Sequence, residues 1–150
     1  MKRSKRLIIV AHCVLNQNSV VCPLARSGGV LKDVKRIMDN DVGIIQLPCP
    51  EFKYLGLSRK PMTKEEYDTL EYRQLCKQLI QPYIEDIEEY KKHNYELVGL
   101  IGINESPTCS ISGERGVLME EFIEELNKRG VEIGFYEVLA TEEADIIISP

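Results

Sequence analysis

The chain has 150 residues, of which 43% are hydrophobic and 29% charged, and its formal net charge is −5 at pH 7. This length is typical of one domain that buries a core without disulfides, and we expect a single domain over residues 1–150. The net negative charge disfavours sequence-independent binding to nucleic acid. No apolar stretch is long enough for a membrane span or a signal peptide, so we expect a cytoplasmic protein with no membrane partner.

Short apolar runs alternate with helical patterns along the chain. The predicted strands are residues 6–11, 42–47, 95–103, 131–138 and 144–149. The predicted helices are residues 29–40, residues 64–92 after a Thr63 cap, and residues 116–128, with a loop at 52–62. Pro82 is expected to start a new helix or to kink the long one, because proline lacks the amide donor.

Strands that alternate with helices and show little polar alternation indicate a mostly parallel sheet covered on both faces. We therefore predict a three-layer, Rossmann-like α/β domain with a sheet of 4–5 strands. No glycine-rich turn follows the first predicted strand, so a dinucleotide is not indicated.

The five cysteines are widely separated, and no CxxC pair is present. In a reducing compartment such cysteines are packing residues, metal ligands or nucleophiles. Cys13, Cys49 and Cys109 each follow a predicted strand and stand among polar residues. Because the carboxyl ends of parallel strands meet at one edge of a sheet, we expect these three to lie together and to hold a metal. The alternative is that each is buried as a small hydrophobic residue.

Three thiolates favour a soft metal, either zinc or an iron–sulfur cluster, and the sequence does not separate the two. Closed structural zinc sites use four protein ligands, so three would leave a position open for water or substrate. Cys76 lies in a helical pattern and is interpreted as a packing residue. Cys22 is interpreted as inert, although it could also be a fourth ligand or a redox partner of Cys13.

Polar residues near the three cysteines supply candidates for the chemistry. Glu51 lies two residues after Cys49, between stiffening prolines, and could deprotonate a water molecule. Ser106 could hydrogen-bond a substrate or simply cap the turn before Cys109, and Glu105 is the next carboxylate candidate. Asn16, Asn18 and Ser19 are interpreted as loop formers. His12 is interpreted as a satisfied half-buried residue rather than a ligand or proton donor, and Arg59 as a solvated loop charge rather than a group that attracts an anion.

Three segments together resemble the 2-thiouracil desulfidase (TudS) family of iron–sulfur proteins. They are Cys-Val-Leu-Asn at 13–16, Leu-Pro-Cys-Pro-Glu at 47–51 and Glu-Ser-Pro-Thr-Cys at 105–109, and their order and spacing also agree. The resemblance implies a [4Fe–4S] cluster bound by Cys13, Cys49 and Cys109. It also implies that Glu51 is a water-activating acid/base and that Ser106 orients the substrate.

The reaction that the resemblance implies removes sulfur from a thiolated pyrimidine. The substrate sulfur binds the open iron, water replaces sulfur at carbon, and the products are the oxo-base and sulfide. The expected substrate is a small thiobase or thionucleoside, while thiouridine in RNA is disfavoured by the acidic balance. Such a cluster is expected to be oxygen-sensitive and to be lost or replaced in an aerobic preparation.

Two departures from the family pattern point to a divergent branch. The family continues after its first cysteine with Leu-Leu-Gly and an Arg-Tyr-Asp-Gly piece, which are absent here, and Ser110 stands where the family usually has glycine. Two other functions stay open at this point. One is a three-cysteine zinc hydrolase with Glu51 as base, and the other is a metal- or sulfur-binding module without turnover. The sequence does not indicate an oligomeric state.

Overall fold

The computed structural model describes residues 1–22, 24–139 and the backbone of 146–148. Five strands form one sheet in the order β2-β1-β3-β4-β5. Strands β1 to β4 are parallel, and β5 pairs antiparallel with β4. The strands are β1 (Arg6–Val10), β2 (Gly43–Gln46), β3 (Glu96–Ile103), β4 (Phe135–Val138) and β5 (Ile146–Ile148).

Helices lie on both sides of the sheet, which confirms the predicted Rossmann-like α/β fold with a mostly parallel sheet. The two longest helices, α5 and α6, pack against each other. The central strands are buried over most of their length, and Ile9 and Leu100 are completely buried. The helices are α1 (His12–Leu15), α2 (Val34–Met38), α3 (Pro50–Leu55), α4 (Lys64–Tyr67), α5 (Leu70–Lys92) and α6 (Val117–Lys128).

The prediction of a helix over 29–40 was wrong at its first half. Helix α2 covers only Val34–Met38. The backbone before α2 forms hydrogen bonds with other segments. The Gly29 carbonyl accepts from the Gln17 amide at 2.5 Å, and the Leu31 amide donates to the Val14 carbonyl at 3.1 Å. These bonds tie the segment to the chain after β1, so it is not free to start a helix.

The prediction of a loop from 52 onward was also wrong, because α3 occupies Pro50–Leu55. Proline ends a strand, but its fixed φ also suits the first position of a helix, where its missing amide costs nothing. Cys49 is the N-cap residue, and Gly56 ends the helix with a φ of 78°. The loop after β2 is therefore shorter and more ordered than expected.

The region predicted as helical over residues 64–92 forms two helices, α4 and α5, which Asp68 and Thr69 separate. Helix α5 runs without interruption through Pro82. Pro82 and Gln78 are both exposed, so the Gln78 carbonyl that proline leaves without a donor can face water. Thr63 forms a capping box with Glu66, which confirms the predicted helix start there.

The last two predicted strands are shorter than expected. The fourth covers Phe135–Val138, since the Val131 amide instead donates to Leu126 and completes the end of α6. The fifth appears as Ile146–Ile148, and residues 144, 145 and 149 of that prediction lie outside the described residues. None of the helices within the described part of the chain is both long and apolar enough to cross a membrane.

Candidate active site

The strand order places a reversal of direction at the centre of the sheet. Chain connections run from β1 outward to β2, and then back past β1 to β3 and β4. In open parallel sheets, ligands bind outside the carboxyl ends of the strands at such a reversal. The segments that follow β1 and β3 are those that carry Cys13 and Cys109.

A cavity of about 440 Å³ opens at this edge. Cys13, Cys49 and Cys109 all line it, and so do Glu51 and Ser106. The structure therefore brings together the five residues that the sequence singled out, although they come from three different segments. The cavity volume lies within the usual range for small-molecule sites.

Each cysteine is held by a different local structure. Cys13 lies in the single turn of α1, directly after β1. Cys49 caps α3, and its thiol accepts the Phe52 amide at 3.4 Å. Cys109 is 9% exposed, and its own amide donates to the Ser106 hydroxyl at 3.0 Å.

Burial disfavours the thiolate form of all three cysteines. Burial, followed by the charge of Cys49, raises the pKa of Cys13 to about 12. Burial also raises the pKa of Cys49 and, more strongly, that of Cys109, on which Cys13 and Cys49 act in the same direction. A thiol must lose its proton to bind a metal, so occupation of this site by a metal centre would release protons.

Two cations stand near the thiols and act in the opposite direction. Arg26 lowers the pKa of Cys13, and Arg59 lowers that of Cys49, although burial outweighs both. In the described part of the chain, no three side chains of His, Cys, Asp or Glu are arranged to hold a single metal ion.

Glu51 is held through one of its two carboxylate oxygens. Its Oε1 accepts from the Tyr67 hydroxyl at 3.2 Å and from Arg59 Nε at 3.4 Å. Among the described residues nothing donates to Oε2. The side chain of Glu51 is 14% exposed and Tyr67 is 1% exposed, so the free oxygen belongs to a largely enclosed carboxylate.

The interpretation of Arg59 as a solvated loop charge was wrong. Its side chain is 3% exposed, and it donates to the carbonyls of Ser19 at 2.6 Å and Gly56 at 3.0 Å as well as to Glu51. The buried Arg59 guanidinium therefore ties the Glu51 carboxylate to the segments that carry Ser19 and Gly56. The sequence offered no sign of this, because Ser19 lies 40 residues away along the chain and the contacts with Glu51 and Gly56 depend on how the loop folds back.

The Ser106 hydroxyl caps the turn before Cys109, which is one of the two alternatives that the sequence left open. Its oxygen accepts the amides of Thr108 at 3.3 Å and Cys109 at 3.0 Å. Both bonds use lone pairs, so the O–H can still donate to a ligand in the cavity. Capping and substrate contact are therefore compatible at this residue.

Two further residues at the cavity escaped the sequence analysis. Gln17 is 3% exposed, donates to the Cys13 carbonyl at 2.7 Å and accepts the Arg26 amide at 2.8 Å. The Arg26 side chain is half-buried and lines the cavity. Both stand in a polar segment with no periodicity, where no residue type marks them out.

The remaining candidates divide between the cavity and other places. His12, Ser19 and Glu105 line the cavity, and His12 Nδ1 lies 3.2 Å from the Leu47 carbonyl, which requires a proton on that nitrogen. Asn16 and Asn18 line a neighbouring cavity. Cys22 is exposed and Cys76 is fully buried in the core, which confirms Cys76 as a packing residue.

The parallel sheet and the cavity at its carboxyl edge define a Rossmann-like α/β protein with a thiol-lined cavity. Over residues 5–126 the chain matches the model of the family described as "Putative 2-thiouracil desulfurase". The chain belongs to this family, which confirms the resemblance seen in the sequence. The family description names an enzyme that acts on a small molecule.

One curated relative is similar over most of its length. It is the protein of Methanocaldococcus jannaschii described as "Uncharacterized protein MJ0003", which is 54% identical over 130 residues. The match covers 86% of this chain and 83% of the relative. No solved structure matches the chain.

Proposed function

We propose that this protein is a [4Fe–4S]-dependent desulfidase that converts the C=S group of a thiolated pyrimidine to C=O and releases sulfide. One observation carries the proposal. Three thiols that follow three successive strands line one cavity, and a largely enclosed carboxylate, Glu51, lines the same cavity. Family membership supports the reaction class.

The chemistry of the donor set fits the cluster. Thiolates are the ligands of iron–sulfur clusters, and three of them leave one iron of a cube without a protein ligand. A cube of four irons is larger than one ion, so its ligands need not converge on a single point. Arg26 and Arg59 provide positive charge near Cys13 and Cys49, which favours an anionic centre there. When bound, the cluster would supply a Lewis acid and an acceptor for the substrate sulfur.

The proton is handled by Glu51. Its Oε1 is occupied by Tyr67 and Arg59, so Oε2 is the atom that takes a proton from water as the water oxygen bonds to the thiocarbonyl carbon. The C=S π pair moves to sulfur as the C–O bond forms. The hydroxyl of this adduct then passes the second water proton to sulfur, C=O forms, and the C–S bond breaks with its electron pair on sulfur, which leaves as hydrosulfide while Glu51 holds the first proton. No electron is gained or lost overall, so no external oxidant or reductant is required.

The substrate is positioned by groups that keep a free donor. The Ser106 O–H is available to a ring nitrogen or carbonyl oxygen, and Arg26 presents its guanidinium to the cavity. A cavity of about 440 Å³ suits a base or a nucleoside. We therefore propose a free thiobase or thionucleoside as the substrate.

The test is anaerobic reconstitution with iron and sulfide, followed by a sulfide-release assay with 2-thiouracil and 4-thiouridine. We expect brown protein with about four irons per chain and turnover of one or both compounds. Replacing any of Cys13, Cys49 or Cys109 with alanine should abolish the iron content. Cys22→Ala is the matched control, because Cys22 is exposed, and it should keep the iron.

The variant Glu51→Gln separates catalysis from binding. It should retain the iron and lose about 10²- to 10⁴-fold in kcat, the usual contribution of a general base. One zinc per chain with no iron would instead favour a three-cysteine zinc hydrolase. A loaded protein with no turnover of either compound would favour a binding module and would contradict the proposal.

A further inference from the structure

The loop at residues 104–112 carries both Ser106 and Cys109, and it leaves β3 and returns to it. The Ile103 amide at the end of β3 donates to the Cys109 carbonyl at 2.9 Å. Within the loop, the Ser110 amide donates to the Ser106 carbonyl at 3.2 Å. The start of α6 also holds the middle of the loop, because the Val117 and Leu118 amides donate to the Pro107 and Thr108 carbonyls at 3.0 Å. At the two ends of the loop, Asn104 Nδ2 donates to Ser112 Oγ at 3.4 Å.

Glu137 of β4 supplies contacts to both ends. One carboxylate oxygen accepts the Ser112 amide at 2.6 Å, and the other accepts Asn104 Nδ2 at 3.3 Å. Strand β4 pairs with β3 in a register that places Glu137 beside Gly102, next to the point where the loop begins. The Asn104 amide also donates to the neighbouring Val138 carbonyl at 2.8 Å.

Glu137 is an unusual residue for this position. It is 1% exposed, and no Lys, Arg or His among the described residues pairs with it. Burying a carboxylate without a cation is unfavourable unless hydrogen bonds compensate. A carboxylate offers acceptor atoms on both of its oxygens, whereas glutamine offers only one oxygen. The two donors at opposite ends of the loop explain why position 137 is glutamate rather than glutamine.

We propose that Glu137 is a positioning residue for this site, whose carboxylate clamps both ends of the 104–112 loop and so sets the Ser106 hydroxyl and the Cys109 thiol in the cavity. The catalytic meaning of this clamp rests on the proposed function, but the clamp itself does not. Its existence can therefore be tested on protein without a cluster, and its catalytic consequence can be tested separately.

The experiment is site-resolved thiol labelling of the metal-free protein with N-ethylmaleimide, read by mass spectrometry. In Glu137→Gln, one end of the loop loses its acceptor, so the loop opens more often. We expect Cys109 to be labelled about tenfold faster than in the unchanged protein, the size of effect typical of one hydrogen bond to a charged group. Cys76, a fully buried core thiol on α5, should label at an unchanged rate.

Asp33→Asn is the matched control, because Asp33 is also a buried carboxylate but pairs with Arg36 at 3.7 Å rather than with the loop. It should leave the ratio of Cys109 to Cys76 labelling unchanged even if it lowers stability. Equal acceleration of both thiols in Glu137→Gln would mean general destabilisation and would overturn the clamp. No acceleration of Cys109 would overturn it as well.

A second readout concerns the reconstituted protein. Glu137→Gln should change the electron paramagnetic resonance spectrum of the reduced cluster and lower kcat more than it raises KM for the thiopyrimidine. If labelling shows the clamp but the unchanged protein has no desulfidase activity, the clamp stands and the proposed function fails. Unchanged spectrum and kinetics alongside faster labelling would overturn the positioning role.

Discussion

Two arginines line the cavity, and they differ in what else they contact. Arg59 is occupied by Glu51 and two backbone carbonyls. The guanidinium of Arg26 makes no hydrogen bond or ion pair with any residue that the structure describes. Burial lowers the pKa of Arg26, whereas Cys13 and Glu105 act in the opposite direction. Such a group is suited to binding a ligand acceptor.

Arg26→Ala is therefore expected to weaken substrate binding. One hydrogen bond to a charged group contributes about 1.5–3 kcal/mol, so KM for the thiopyrimidine should rise at least about tenfold with a smaller change in kcat. Steady-state kinetics of the reconstituted enzyme measures this. Arg36→Ala is the control, because Arg36 is 71% exposed and does not line the cavity. An unchanged KM for Arg26→Ala would show that the guanidinium does not contact the substrate.

At the scale of elements, the start of α6 packs directly against the loop that carries Cys109. Gly116 is the N-cap residue of α6, and its φ of −70° is accessible to alanine. A Cβ added there would lie 2.6 Å from the Cys109 amide nitrogen and would overlap the Thr108 carbonyl. Gly102 on β3 is similarly crowded, with the Cys109 carbonyl at 2.5 Å. Both glycines allow the backbone near Cys109 to approach its neighbours closely.

Gly116→Ala should displace the backbone at Thr108 and Cys109 and cost about 1–3 kcal/mol of unfolding free energy, the usual effect of overpacking. We also expect the reconstituted variant to hold less iron than the unchanged protein. Urea unfolding and iron analysis provide the two measurements. Gly28→Ala is the matched control, since nothing lies within 4 Å of a Cβ there, and it should be neutral in both. Wild-type stability and iron content in Gly116→Ala would contradict the account of this contact.

At the scale of the whole molecule, buried thiol and phenol groups make the free energy of unfolding depend on pH in the alkaline range. Burial raises the pKa of Cys76 to about 12, whereas a thiol in an unfolded chain titrates near about 8.5. Between these values the unfolded chain loses a proton that the native protein keeps, so stability falls as pH rises. One such group contributes a slope of about 1.4 kcal/mol per pH unit. Burial raises the pKa of Tyr72 in the same direction.

Denaturant unfolding at a series of pH values from 8 to 11 tests this linkage. Cys76→Ala should lower stability at every pH because it removes core packing, but its decline above pH 9 should be shallower by about one group's slope. Cys22→Ala, at an exposed position, should keep the slope of the unchanged protein. Parallel curves for Cys76→Ala and the unchanged protein would show that the buried thiol does not contribute.

The accuracy of the sequence predictions followed the range of the interactions. Strands β1 and β3 were predicted to within a residue or two, because a run of apolar residues such as Leu7 to Val10 is itself the signal for a buried strand. Helices α2 and α3 were predicted poorly. The extent of α2 depends on backbone bonds from Gly29 and Leu31 to residues near α1, and α3 depends on Pro50 acting as a helix start.

By itself, the sequence determined the alternation of strands and helices and the position of Cys13, Cys49 and Cys109 after strands, because both are properties of local order along the chain. Only the tertiary structure decided three further features. They are the pairing of Glu51 with Arg59 and Tyr67, the position of the Arg26 guanidinium in the cavity, and the Glu137 clamp. Arg59 and Ser19, for example, are 40 residues apart. Contacts over such separations are chosen by how the elements pack, and no pattern within one segment specifies them.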